Sequence, residues 1–259
     1  MPQHRPRKRF GQHFLHDRQV IDRIIGAIAP APGQCMVEIG PGAGALTLPL
    51  LHLVGELHVV ELDRELAAEL VQRCQGIGTL HMHCQDALEF DFRELVTHGK
   101  NIRVTGNLPY NISTPLIFHL LEANDRILDM IFMLQEEVVD RMCAEPGTRT
   151  YGRLSVMVQA QCRVEKLFTV CATSFTPPPK VSSAIVRLIP QIQTGILDYD
   201  TFADSVRQSF NHRRKTLRNA LKDIMDIQQI TSLGIDPGIR PEQLTVEQFI
   251  RLSNSVSRT

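Results

Sequence analysis

The chain has 259 residues, 43% hydrophobic and 22% charged, which excludes disordered, collagenous and coiled-coil classes and suits one large domain beside a small one. No apolar run approaches the ~20 residues of a membrane helix, because residues 127–134 are interrupted by Asp129, and the basic head MPQHRPRKRF lacks the apolar stretch of a signal peptide. The expectation is a cytoplasmic protein with no membrane partner. Its six cysteines (Cys35, Cys74, Cys84, Cys143, Cys162 and Cys171) form no CxxC pair and no zinc-finger spacing, so they read as reduced, mostly buried thiols. Acids and bases balance at 28 each, yet residues 38–145 hold 17 Asp/Glu against 7 Lys/Arg, leaving 11 acids and 21 bases for the two ends. A chain polarised in this way can hold a cationic small molecule in its acidic part and a polyanion on its basic ends.

Apolar residues Val20, Ile21, Ile24, Ile25 and Ile28 recur at helical spacing and stop before Pro30, predicting a helix ahead of the sheet. From Cys35 strands and helices alternate. CMVEIG, LHVVEL, TLHMHCQDAL, IRVTGNLP and ILDMIFMLQ read as strands; ALTLPLLHLV, DRELAAELVQRC, a short stretch near 91–98, STPLIFHLLEA and residues 136–143 read as helices. That alternation means a doubly wound, mostly parallel α/β sheet covered on both faces. VMVQAQCRVEKLFTV and SSAIVRLIP read as two further strands, separated by a loop stiffened by Pro177, Pro178 and Pro179. Beyond about Gln191 only short helical patterns remain, so residues 1–194 are expected as the sheet domain, with 1–16 as a basic leader, and 195–259 as a small all-helical domain.

The segment Glu38-Ile39-Gly40-Pro41-Gly42 runs from a strand into a turn before a helix, where Gly40 and Gly42 permit positive φ and close approach of a ligand. The same residues satisfy a dinucleotide pattern, and Glu61, at the end of the second strand, stands where an acid holds a ribose. Asp86 closes the third strand. Gly40, Glu61 and Asp86 together suit a ligand with a ribose and an adenine amine.

The fourth strand ends in Gly106-Asn107-Leu108-Pro109-Tyr110, and this order suits chemistry on an exocyclic amine. Adenine N6 is a poor nucleophile because its lone pair is delocalised into the ring. Two acceptors, the Asn107 side-chain carbonyl and a backbone carbonyl stiffened by Pro109, favour a pyramidal nitrogen, while Tyr110 offers a stacking face worth ~1–3 kcal/mol. No metal is required. Phe175, beside the rigid proline loop, is expected as a second stacking platform, which completes a catalytic set of Asn107, Leu108, Pro109, Tyr110 and Phe175. Met130 and Met133 read as sheet core.

At this point the sequence resembles the ribosomal RNA small-subunit dimethyladenosine transferases, through Arg9-Phe10-Gly11-Gln12-His13-Phe14-Leu15, Val37-Glu38-Ile39-Gly40-Pro41-Gly42, Val60-Glu61-Leu62-Asp63, Gln85-Asp86-Ala87, Gly106 to Ser113, Phe175 to Val181 and Phe210 to Thr216. The resemblance implies a methyltransferase sheet and S-adenosyl-L-methionine held by His13, Leu15, Gly40, Gly42, Glu61, Asp86 and Asn107. It also implies dimethylation at N6 of two adjacent adenosines in a hairpin loop near the 3′ end of small-subunit rRNA. The partners expected are that rRNA and the assembling small subunit, with the chain acting as a monomer. His13 and Ser182 stand where the family commonly has Asn and Asp.

Arg5, Arg7, Lys8 and Arg9 at the head, with Arg213, Arg214, Lys215 and Arg218, read as an RNA-binding surface, since residues 205–218 contain five bases and no acid. An N6-adenine DNA methyltransferase would share the Asn-x-Pro-Tyr logic, and an rRNA-docking assembly factor is the alternative from another class. A nicotinamide enzyme would leave 107–110 unexplained.

Overall fold

The computed structural model describes residues 12–95, 101–191, 195–211 and 215–256. A two-residue strand, β1 (Phe14–Leu15), leads to Asp17, whose carboxylate accepts from the backbone N–H groups of Gln19 and Val20 and so starts α1 (Arg18–Ile28). Then follow β2 (Cys35–Ile39), α2 (Thr47–Val54), β3 (Glu56–Val60), α3 (Arg64–Arg73), β4 (Thr79–His83), β5 (Ile102–Asn107) and α4 (Ser113–Leu121). The chain continues through β6 (Ile127–Gln135), α5 (Glu136–Met142), α6 (Arg153–Gln159), β7 (Cys162–Val170), β8 (Phe175–Thr176) and β9 (Ser183–Pro190). It ends in α7 (Tyr199–Asn211), α8 (Leu217–Ala220), α9 (Ile227–Ser232) and α10 (Val246–Ser255).

Seven strands form one sheet in the order β4-β3-β2-β5-β6-β9-β7, parallel from β4 to β6 and reversed at β9. The expected parallel sheet is therefore present, and its central strands are buried on both faces, as strands covered by helices must be. Met130 and Met133 lie in the core as anticipated. β1 and β8 pair antiparallel as a separate ribbon that joins residues far apart in sequence.

The division of the chain differs from the boundary expected near 195. One compact unit comprises Met1–Val139 and Glu165–Pro190, the other Asp140–Val164 and Gln191–Thr259. The reason is α6, which occupies residues read as strand. Four consecutive buried residues, Ser155 to Val158, carry no period that separates a buried strand from a buried helix. Ser155 Oγ accepts from Gly152 N–H at 3.1 Å and donates to the Arg141 carbonyl at 2.5 Å, which fixes the helical start. α6 packs on α7 and α10, and the nearby Tyr151 ring lies edge-on to Phe210 at 6.4 Å. Of the six thiols, all free, Cys74 and Cys162 are buried while Cys84 and Cys171 are exposed, fewer buried than expected. No described helix is long and apolar enough to cross a membrane.

Arg103 is the polar keystone of the first unit. It lies on β5, 8% exposed, and grips Asp129 of β6 with Nε at 2.7 Å and Nη2 at 2.9 Å. It also donates to the carbonyls of Ile28 at 2.7 Å and Ala29 at 3.3 Å, while Arg187 of β9 donates to the Ala27 carbonyl. The orphan carbonyls at the end of α1 are thereby satisfied inside the protein. Arg103→Met should cost about 3–5 kcal/mol, because it removes the bidentate partner of the largely buried Asp129 carboxylate and leaves it, among the described residues, only Arg187, 4.0 Å away. A urea midpoint equal to that of the parent protein would refute this accounting.

Candidate active site

β2, β3 and β4 build one side of the sheet and β5 and β6 the other, so the strand order reverses between β2 and β5. Open α/β sheets bind ligands at the carboxyl ends of strands beside such a switch point. A cavity of about 350 Å³ lies there. Glu38, Gly40 and Gly42 reach it from the end of β2, Glu61 from β3 and Asp86 from beyond β4. Asn107, Leu108, Pro109 and Tyr110 reach it from β5, and His13 and Leu15 from the β1 segment.

The turn after β2 depends on glycine. Gly40 and Gly42 have φ of 64° and 53°, and a Cβ on Gly42 would stand 3.2 Å from the Phe14 ring. Glu61 is 8% exposed and held from two sides, Oε1 accepting from Asp63 N–H at 2.8 Å and Oε2 from Gly42 N–H at 3.4 Å. Burial raises its pKa, and these N–H groups pull it back. Asp86 Oδ1 accepts from Leu88 N–H at 2.9 Å, which orients the side chain.

Asn107 donates from Nδ2 to the His13 carbonyl at 3.1 Å, an arrangement that leaves its Oδ1 to accept. His13 donates from Nδ1 to the Pro177 carbonyl at 2.7 Å, and its ring stacks beside Tyr110 with centroids 6.0 Å apart. Tyr110 is tethered through its hydroxyl to Ser183 Oγ at 2.9 Å, and burial raises its pKa.

Phe175 is a correction. It is 2% exposed and belongs to the hydrophobic core, outside the cavity, so it offers no stacking face. On β8 it pairs with Leu15, and it supports from behind the strand that walls the cavity. The head residues Arg5, Arg7, Lys8 and Arg9, and Arg213 and Arg214, lie outside the described residues. Lys215 and Arg218 are exposed on the second unit. Arg207 is less available than the acid-free stretch suggested, because Asp204 on the preceding turn pairs with it at 3.0 Å.

Sequence reasoning gave no role to Glu38, although it stands two residues before Gly40 on the same strand end. The residue is 2% exposed, and its Oε2 has no hydrogen-bond partner among the described residues. Burial drives its pKa up to about 7, the Thr47 hydroxyl pulls it down in part, and the Glu61 charge adds to the rise.

The reversed strand beside β6 and a cavity closed by the Asn107 segment, where a dinucleotide fold would carry its second nucleotide half, give the fold of the methyltransferases. Residues 3–258 match the ribosomal RNA adenine dimethylases, and the chain belongs to that family of enzymes. It is 55% identical over 252 residues to the ribosomal RNA small subunit methyltransferase A of Nitrosococcus oceani, covering 96% of each chain. The protein of the same name from Chromohalobacter salexigens is 54% identical over 264 residues, covering 100% of this chain and 94% of that one. Among solved structures, a dimethyladenosine transferase from Plasmodium falciparum superposes with a TM-score of 0.81 at 28% identity, covering 93% of this chain and 96% of the other. The 23S rRNA methyltransferase ErmE superposes at 0.73 with 25% identity, covering 94% and 99%.

The Glu38 carboxyl gives the fold a pH dependence of defined sign. Folded, it keeps its proton up to about pH 7, against 4.5 for an ordinary Glu. In this window the folded state binds the extra proton, so the contribution is fully present below the lower value and is lost as pH rises through the upper one. The loss amounts to about 3 kcal/mol. Glu38→Gln, neutral at every pH, should flatten the fall in urea midpoint between pH 5 and pH 8; an unchanged fall would acquit Glu38.

Proposed function

We infer that this enzyme transfers methyl groups from S-adenosylmethionine to N6 of two adjacent adenosines near the 3′ end of small-subunit rRNA, twice at each, acting as a monomer in the cytoplasm. The observation that carries the reading is the hydrogen bond from Asn107 Nδ2 to the His13 carbonyl, which commits the amide nitrogen and turns Oδ1 into the free acceptor. The relatives named as small-subunit methyltransferases support the substrate, and six free thiols suit a reducing compartment.

The cavity suits the cofactor by its donor set. An adenosyl sulfonium needs acceptors for a ribose diol and an adenine amine, and negative surroundings for its cationic end. Glu61 meets the first need with a carboxylate already oriented by two N–H groups, and Asp86 meets the second with the oxygen that does not bind Leu88. The orphaned Glu38 Oε2 meets the third, because a bound cation favours the ionised form that burial otherwise opposes. Gly40 and Gly42 leave the turn without side chains that would fill the space, and His13 and Leu15 close the opposite wall. The bound cofactor supplies an electrophilic methyl group on a positively charged sulfur.

This chain's residues then prepare the nucleophile. Asn107 Oδ1 accepts one N6–H, and the backbone carbonyl of Leu108, whose successor Pro109 has a fixed φ, accepts a second. Both carbonyls stabilise the positive charge that develops on nitrogen as its lone pair is used. The proton released afterwards goes to water, and no side chain of unusual basicity is needed. Tyr110, tethered to Ser183, supplies one stacking face, and the second jaw expected from Phe175 is absent. Most of the rate enhancement then comes from holding donor and acceptor in line.

Incubation of the protein and radiolabelled S-adenosylmethionine with unmethylated small subunits, naked rRNA and duplex DNA should place label on N6 of adenosine in the ribosomal substrates alone. Asn107→Ala should lower kcat far more than it weakens cofactor binding, since it removes an interaction strongest in the transition state. Label on duplex DNA, or near-normal kcat in the variant, would overturn the reading.

The exposed Lys215 and Arg218, with the neighbouring Arg213 and Arg214 and the head residues, supply phosphate contacts in this reading. Changing Lys215 and Arg218 to Gln should flatten the dependence of log affinity for rRNA on log salt by roughly 0.7–0.9 per lost contact and leave cofactor affinity alone. Equal slopes would remove both residues from the RNA surface.

A further inference from the structure

At the β4 edge of the sheet three imidazoles and a carboxylate share one face. His58 of β3 is the register partner of His81 on β4, and Glu56 and His83 lie two residues away on the same side of their strands. The His58 and His81 rings stack with centroids 4.5 Å apart, and those of His58 and His83 are 5.5 Å apart. His81 Nε2 is 2.8 Å from Glu56 Oε1, while His58 Nδ1 is 3.2 Å from His83 Nε2. One ligand atom from each of Glu56, His58 and His81 falls within 4.8 Å of the other two. Zinc-finger spacing does not describe this set; its sequence signal is the His-x-His of 81 and 83, two residues on one strand face.

We propose that Glu56, His58 and His81 bind a divalent transition-metal ion of the imidazole-preferring class, zinc foremost, with His83 as the partner that orients His58. Two imidazole nitrogens and one carboxylate oxygen are the ligand types such an ion takes, and three protein ligands leave a position for water. Ligands about 2 Å from a tetrahedral centre stand roughly 3.3 Å apart, so the three groups close on an ion by side-chain rotation, with Glu56 and His81, the more exposed pair, already 2.8 Å apart. His81 and Glu56 already meet across a shared proton, and an ion entering there takes that proton's place.

Glu56 supplies the only full negative charge among the four. An ion held here would pin the edge strand β4 to β3, three residues before Asp86 in the cavity. This surface is separate from the cavity, and the proposal does not rest on the proposed methyl transfer.

Untagged full-length protein, stripped with a chelator, should bind one equivalent of Zn²⁺ in equilibrium dialysis, and Co²⁺ should develop the intense visible absorption of a low-coordinate site. Zinc should also raise the melting temperature. Glu56→Gln, at an exposed position, and His58→Gln should each weaken binding by more than the ~10-fold that loss of an outer partner costs, and should remove the thermal shift. Circular dichroism verifies that both variants fold. Cys84→Ser, which alters the exposed thiol next to His83, should leave binding intact. Absence of saturable binding by the parent protein, or binding that survives both ligand variants but is lost with Cys84→Ser, would overturn the proposal.

Discussion

No side chain fits at position 106. A Cβ on Gly106 would lie 2.3 Å from the carbonyl oxygen of Ile39, so β5 can run this close to the end of β2 only because the residue has none. The approach sets the Glu38 to Gly42 turn beside Asn107, and with it the distance between the two halves of the cavity. Any larger residue would move β5 or β2 and carry Asn107 away from the ligand's wall. A hydrogen-bond acceptor whose value lies in its placement cannot tolerate such a shift. Asn107 is also held from the front, because its amide donates to the His13 carbonyl on the β1 segment.

The acids of the cavity illustrate a second constraint. Glu38 and Glu61 are both buried and both resist ionisation, so a fold selected only for stability would carry apolar or amide side chains there. Both line the cavity, where a cationic ligand would favour their ionised form. Arg103 shows the opposite case. Its charge is matched by Asp129, and its remaining donors find backbone carbonyls, so nothing in that network is left to attract a ligand. Glu38 differs from Arg103 in keeping an oxygen, Oε2, without a hydrogen-bond partner among the described residues.

Much of this was legible in the sequence because strand ends are marked by chemistry. Glu61, Asp86 and Asn107 each stand at or just beyond the end of a parallel strand, and the structure brings all three to one cavity. Residues whose partners lie far away in sequence were not legible. Phe175 beside three prolines looks like a surface platform, and only its pairing with Leu15 reveals that it faces the core. Residues 155–158 of α6 are all buried where it packs on α7 and α10, and that unbroken burial erases the period that local reading relies on. Arg207 looked free because the acid that pairs with it, Asp204, falls just outside the basic stretch. The domain boundary failed for the same reason, since residues 140–164 join a unit whose other members follow after 190.

The β1–β8 ribbon has a consequence for the order in which the protein is made. Phe14 and Leu15 pair with Thr176 and Phe175 across more than 150 residues of chain, and His13 just before them braces both Asn107 and the proline loop. During synthesis from the N-terminus the glycine turn, Glu61, Asp86 and Asn107 all emerge first. The segment that closes their cavity is older than any of them, yet it has no strand to lie against until Phe175 appears. A nascent chain therefore carries Glu61, Asp86 and Asn107 in an open cavity, and the last element of the site to be assembled is among the first to be translated.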